Sequence, residues 1–285
     1  MTISIITPSL NQGPYLSEAL ESVRAQGFES VEHIVLDGGS TDCTLRRLQG
    51  LRKQPGWSHL HWQSRSDRGQ SSALNRGFEM ATGDIVGWLN ADDRYRPGCF
   101  QHVADAFRAN PEVDVFYGDY ALINEAGQPT KIRHEIEFSR FVLTYHRVLY
   151  IPTASTFFRA GIFRDGIRLR EHLHYAMDYE LFLRLANLGY HIRHTHSVLA
   201  EFRVHSQSKS FRYRERQLAE RRQILYSSLP SAARLSATTS GRTLLHVLEW
   251  AAGAMRYSQK LLHGAYFTGT QHDAQSTPKE HPCAS

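Results

Sequence analysis

Short apolar, β-prone runs alternate with segments of helical periodicity through the first half of the chain. Ile3-Ser4-Ile5-Ile6-Thr7-Pro8 reads as a buried strand ended by Pro8, and Pro14 suits the first turn of the helix that follows. Tyr15, Leu16, Ala19, Leu20 and Val23 recur at helical spacing through Ala25. Val31 to Leu36 is a second strand, running into Asp37. Leu60 to Trp62 is a third, Gln70 to Met80 a helix, and Gly83 its stop. Ile85 to Leu89, the helix of Pro97 to Ala109 and the strand of Val113 to Tyr117 continue the series. Such alternation predicts an α/β fold with a parallel sheet.

Right-handed crossovers bring the loops after parallel strands to one edge, where ligands bind. Four polar clusters fall at those predicted ends. They are Thr7-Pro8-Ser9, the Gly-rich turn Asp37-Gly38-Gly39-Ser40-Thr41-Asp42, Asp67-Arg68-Gly69, and Asn90 to Asp93. One coincidence would mean little, but four in order describe a cleft. Asp92 and Asp93 are adjacent at the end of a buried strand. Their charges repel and are costly to desolvate, a conflict that a hard divalent cation resolves. The bland reading is a polar loop that caps the next helix.

The second half is less regular. Asn124-Glu125-Ala126-Gly127 separates two short runs, Ala121 to Ile123 and Lys131 to Arg133, as a hairpin turn would. Pro152 to Phe158 and His191 to Phe202 read as strands. Tyr179 to Leu188 is a helix with Gly189 as its stop. Arg212 to Tyr226 is a charged helix and Arg242 to Leu262 an amphipathic one. The polar tail from Thr268 is expected to be disordered.

Composition removes several classes. The 285 residues suffice for one large domain or two small ones. No apolar run is long enough to span a bilayer. The N-terminus lacks the charged-then-apolar pattern of a secretory signal. Cys43, Cys99 and Cys283 are odd in number and scattered, which argues against a disulfide framework and a zinc site and fits a reducing cytosol. A net charge of +5 suits an anionic small substrate or an anionic membrane surface. No nucleic-acid motif is present, so nucleic acid is not an expected partner. The absence of G-x-G-x-x-G and G-x-x-x-x-G-K-[ST] disfavours a dinucleotide site and a P-loop.

Individual residues carry two readings each. Asp37 could accept hydrogen bonds from a base or ribose, or hold its own turn. Arg68 could reach phosphate while Asp67 and Asn75 shape a pocket, or the stretch could be a solvated helix start. Asp178 could be a general base, or an N-cap with Glu180 as a first-turn acid. His205, in Phe202-Arg203-Val204-His205, could complete a metal site or contact diphosphate.

Taken together, residues 3 to about 210 resemble a family 2 glycosyltransferase of the GT-A fold, WcaA-like. The resemblance rests on Thr7-Pro8-Ser9-Leu10-Asn11-Gln12, Asp37-Gly38-Gly39-Ser40-Thr41-Asp42, Asp67-Arg68-Gly69-Gln70 with Ala73-Leu74-Asn75-Arg76-Gly77, Gly83 through Asp93, and Met177-Asp178-Tyr179-Glu180-Leu181. It implies a Rossmann-like, mixed but mainly parallel sheet flanked by helices. Residues 1–210 would form the catalytic domain, 211–267 a helical extension and 268–285 a tail. It implies that Thr7, Pro8 and Asp37 line the nucleoside pocket and that Asn90-Ala91-Asp92-Asp93 stands at the D-x-D position. Asp92 would face ribose or sugar, Asp93 would lie nearest the metal, and Asp178 would be the base. Asn90 departs from the acidic first residue. The Q-x-x-R-W motif and membrane helices of processive synthases are missing, which favours one sugar per binding event.

The expected activity is inverting transfer, of a hexosyl or similar group, from a nucleotide-diphosphate sugar to a sugar or lipid-linked acceptor. A divalent cation, Mn2+ or Mg2+, would assist, and cell-surface polysaccharide or glycolipid synthesis is the expected setting. The basic C-terminal helices would suit a peripheral position on the inner face of the cell membrane. Readings from other classes are a non-catalytic nucleotide-sugar-binding module and a dinucleotide-dependent enzyme.

Overall fold

The computed structural model describes residues 1–51, 53–206, 208 and 213–262. The predicted tail, Arg212 and Cys283 lie outside them. Four parallel strands open the fold: β1 (Ile3–Ser9), β2 (Val31–Asp37), β3 (Leu60–Ser64) and β4 (Ile85–Trp88). Between them run α1 (Gly13–Arg24), α2 (Thr44–Leu51) and α3 (Gln70–Met80). Then come β5 (Arg94–Tyr95), α4 (Cys99–Ala109), β6 (Val115–Ile123), β7 (Pro129–Arg133), α5 (Arg140–His146), β8 (Thr156–Arg159), α6 (Gly161–Arg164), α7 (Met177–Asn187) and β9 (Ile192–Arg203). Three helices close the described chain: α8 (Arg214–Ser228), α9 (Pro230–Ser236) and α10 (Thr239–Leu262). The sheet runs β3-β2-β1-β4-β8-β6-β9-β5, with β7 beside β6. β8 is antiparallel to both β4 and β6, while β9 runs parallel to β6. The sheet is thus mixed and mainly parallel at its N-terminal side.

Both faces of the sheet are covered, as parallel strands require. On one face Ile6, Ile34, Leu36 and Val86 meet Leu74 and Phe78 of α3 and Phe182 of α7. On the other, Ile3, Ile5, Ile85 and Leu89 meet Phe100, Val103 and Phe107 of α4. The close fit of α3 depends on Gly77, where a Cβ would stand 2.4 Å from Ile6 Cγ2.

Several boundaries differ from the sequence reading. Pro8 does not end β1; it pairs with Leu36 beyond the last β1–β4 pair, Ile6 with Trp88. Its missing N–H therefore costs no ladder bond on that side. Gly83 is not the stop of α3, which ends at Met80. It passes so close to β1 that a Cβ would lie 2.8 Å from the Thr2 carbonyl oxygen. The two predicted runs Val113–Tyr117 and Ala121–Ile123 merge into one strand, β6, which starts at Val115 and is joined to β7 by the expected turn. β5 and α5 were not foreseen, since neither shows a periodic pattern long enough to read.

Candidate active site

The carboxyl ends of β1, β3 and β4 open into a cavity of about 360 Å3. Pro8, Ser9 and Leu10 form its wall at the end of β1, Asp67, Gly69 and Gln70 after β3, and Trp88, Asn90, Ala91 and Asp92 at the end of β4. Asp178, Met177 and Tyr175 enter from the start of α7, Phe202 and Ser208 from the end of β9, and Gln217 from α8. A sheet edge of this kind, where polar groups converge on a partly apolar hollow, is where small molecules bind.

The two adjacent aspartates have separate environments. Asp92 faces the cavity, and its Oδ2 lies 3.0 Å from Nε2 of the buried His205. Asp93 does not reach the wall. Its side chain is buried, accepting from Asn90 Nδ2 at 3.0 Å and from the Arg203 amide at 3.0 Å. Burial pushes the Asp93 carboxyl well above its ordinary value, and the neighbouring Asp92 charge adds to this. The residue expected nearest a metal thus sits behind the wall, while Asp92 presents its carboxylate to the cavity with the buried His205 imidazole against it. Hard divalent cations that complete their shell with substrate phosphates are held by this kind of sparse protein set. Asn90 is fixed by partners with single roles. Trp88 Nε1 can only donate, so it takes Oδ1 at 2.9 Å, which leaves the amide nitrogen for the Asp93 carboxylate.

The other sequence candidates divide. Pro8 lines the cavity. Thr7 does not; its hydroxyl is 2.9 Å from His33 Nε2 inside the sheet. Asp37 is fully buried and holds its own turn, accepting from the amides of Gly39 and Ser40 and from the Ser40 and Ser64 hydroxyls. Arg68 is exposed and paired with Glu171 at 2.8 Å. Asn75 clamps Leu169, donating to its carbonyl at 2.9 Å and accepting from its amide at 2.7 Å. None of these four side chains lines the hollow.

Asp178 does line it, but not as an N-cap. The cap position of α7 is Ala176, and Asp178 lies one residue inside the helix with Oδ1 accepting from the Tyr179 amide at 2.7 Å. Burial pushes its carboxyl up from the ordinary value; the Tyr179 amide and the Arg221 guanidinium act in the opposite direction. The capping task falls to Glu220 of α8, whose carboxylate accepts from the amides of His174, Tyr175 and Ala176 at 3.0, 2.8 and 2.7 Å. Arg221 is buried, with its guanidinium 5.8 Å from the centre of the Tyr179 ring. Gln217, Glu220 and Arg221 were missed as site residues. Their helix reads only as charged, and nothing local marks which charges turn inward.

The Glycosyl transferase family 2 profile matches residues 4–168. The chain belongs to this family. It is 34% identical over 169 residues to an uncharacterized glycosyltransferase of Nostoc sp., covering 57% of this chain and 52% of the relative. An uncharacterized glycosyltransferase of Mycobacterium tuberculosis is 33% identical over 164 residues, covering 56% and 60%. The matches thus span little more than half the length of these relatives. Among solved structures, Staphylococcus aureus TarS 1–349 in complex with UDP-GlcNAc superimposes with a TM-score of 0.65 at 18% identity, over 95% of this chain and 77% of that one. The mannosyltransferase PcManGT of Pyrobaculum calidifontis, in complex with GDP-Man and Mn2+, gives 0.59 at 19%, over 94% and 76%. The fold of this family 2 protein is GT-A.

The Glu220 clamp has a measurable consequence. Glu220→Ala leaves three amides before α7 without their acceptor and should cost about 1–3 kcal/mol of stability. Glu220→Gln keeps one acceptor oxygen and should cost less. Thermal melts check both, and a melting temperature unchanged in the alanine variant would show that the clamp contributes nothing.

Proposed function

We propose that this chain transfers one sugar per binding event from a nucleotide-diphosphate donor to a hydroxyl acceptor, inverting the anomeric centre. The observation that carries the reading is the cavity itself, whose lining joins Asp92, backed by the buried His205, to Asp178 of α7 beside the carboxyl ends of β1, β3 and β4. The donor complexes of TarS and PcManGT support a nucleotide-sugar partner. Asp92 and His205 would hold a divalent cation, Mn2+ or Mg2+, with Asp93 behind them. When bound, the cation neutralises charge developing on the departing diphosphate. As the acceptor oxygen attacks the anomeric carbon, its proton passes to Asp178. The Tyr179 amide holds Oδ1, which leaves Oδ2 to receive the proton.

Cation dependence is tested by transfer assays after chelation. Excess EDTA should abolish turnover, and Asp92→Asn should lower it by on the order of 10²-fold or more even with saturating Mn2+. Full activity in excess EDTA would overturn this part of the reading.

Asp178→Asn keeps the shape but cannot accept the proton, so the rate should fall by about 10²–10⁴-fold. Stability should move the other way. The native carboxyl has a raised pKa, so the folded state binds the proton more tightly than the unfolded one. That contribution is present at low pH and is lost as pH rises from the unfolded value through the folded one. At neutral pH the asparagine variant should therefore melt no lower than the parent. Near-normal transfer by Asp178→Asn would remove this residue from the mechanism.

The acceptor fits a lipid-linked or surface-associated sugar, reached from the cytoplasmic face of the membrane. The described residues contain no helix long and apolar enough to cross a bilayer. α10 instead exposes Leu244, Val247, Trp250, Tyr257 and Leu261 along one side, with Trp250 75% exposed. A stripe with an aromatic anchor suits the interfacial layer of a membrane. The basic helix before it contributes less surface charge than its sequence promises, because Arg221 is buried. Flotation with anionic vesicles should recover the protein, and Trp250→Ser should weaken that recovery. Absence of any vesicle-bound fraction would leave α10 as a face for a second subunit.

A further inference from the structure

Apart from the residues of the cavity, Glu137, His194 and His196 each bring one ligand-capable atom to a common point, all within 4.8 Å of one another. Glu137 lies in the segment between β7 and α5, and both histidines lie on β9. His194 is 4% exposed. Its Nε2 is 2.8 Å from Asp119 Oδ1, and a carboxylate there can only accept, so Nε2 carries the proton. The neutral ring then has its lone pair on Nδ1. That nitrogen is buried and, among the described residues, has no hydrogen-bond partner. A buried lone pair facing neither water nor a donor is costly unless something else fills the position.

The surroundings are those of a metal-ligating histidine. Asp119 is 2% exposed and also accepts from the Glu135 amide at 2.9 Å and His134 Nδ1 at 2.7 Å. A carboxylate that fixes the far nitrogen of an imidazole sets the tautomer and orientation that a bound metal needs. His196 takes a left-handed backbone, with φ of 55°, where the pairing of β6 with β9 shifts register. Its Nε2 lies 2.5 Å from Glu137 Oε1, and both side chains are about half exposed, which provides an entry path. A plain surface ion pair would account for His196 and Glu137, but not for the stranded nitrogen of His194.

We propose that His194 Nδ1, His196 Nε2 and the Glu137 carboxylate bind a divalent transition cation of the zinc type, separate from the cation of the sugar-transfer site. Two imidazoles and a carboxylate suit such an ion, with water completing a tetrahedral shell. The expectation against zinc rested on cysteines, and this set uses none. The ion replaces the proton shared by His196 and Glu137. It ties β9 to the segment after β7, whose Glu135 holds Arg256 and Lys260 of α10 at 3.0 Å each. Its role is thus to secure the attachment of the C-terminal helix.

The test uses the full chain carrying Asp92→Asn, stripped of metal and titrated with Zn2+ by equilibrium dialysis, with melting temperature as a second readout. One equivalent should bind and raise the melting temperature. In that background His196→Asn, which tolerates the left-handed backbone, and Glu137→Gln should each weaken binding by at least about 10-fold, and Asp119→Asn by about 10–100-fold through the orientation of His194. Co2+ substitution should give ligand-field absorption that both ligand variants lose. Failure of the parent to take up Zn2+, or equal affinity in His196→Asn and Glu137→Gln, would overturn the assignment.

Discussion

The buried carboxyl of Asp93 imposes the condition around which the cavity edge is built. A buried carboxyl needs partners, and this one is served by the Arg203 backbone amide and by Asn90. Arg203 is itself 1% exposed, so its guanidinium must be satisfied in turn. It donates to the Asp92 carbonyl at 2.9 Å and to the Glu125 carbonyl at 2.8 Å, pairs with Glu18 at 2.5 Å, and lies 5.0 Å from the centre of the Tyr15 ring. One side chain from the end of β9 thereby joins the end of β4, the β6–β7 turn and α1. His205 follows two residues later on the same segment, so the network that satisfies Arg203 also delivers the imidazole to Asp92.

Most of the first half of the fold was legible because its signals are local. Strand and helix periods, the Gly-rich turn and Pro14 are read within a few residues of one another, and α3 matches its predicted span. The position of the cleft was also legible, since right-handed crossovers place loops without knowledge of their partners. Which side chains face the cleft was not. Thr7 and Asp37 sit at strand ends, as expected, yet each turns to a neighbour on the adjoining strand or turn: Thr7 to His33, Asp37 to Ser40 and Ser64. A period of two residues along a strand says that a side chain points to one face, not whether that face is filled.

The C-terminal helices show the opposite failure. Their existence was plain, but their relation to the site was hidden, because it depends on contacts across dozens of residues. Glu220 meets the amides of His174 to Ala176, and Arg221 reaches the start of α7. Glu249 pairs with Arg147, and Arg256 and Lys260 meet Glu135. A boundary drawn at residue 210 would leave α7 with unsatisfied amides and Asp178 without its nearby cation. The segment that carries the proposed base is therefore held from outside the part of the chain that carries its sequence motif.

Asn90 draws these points together. On sequence alone it is a departure from an acidic position and weakens the case for chemistry at this site. In place, it must accept from Trp88 and Gln70 and donate to Asp93, three demands that one amide meets. An aspartate could accept the first two but could not donate. It would also set a further negative charge beside a carboxyl whose pKa burial and Asp92 already raise. The amide leaves Asp92 as the carboxylate of this loop that faces the cavity. Its nitrogen serves the buried Asp93, which in turn accepts from the Arg203 amide two residues before His205. Asn90 is thus part of how this edge is assembled.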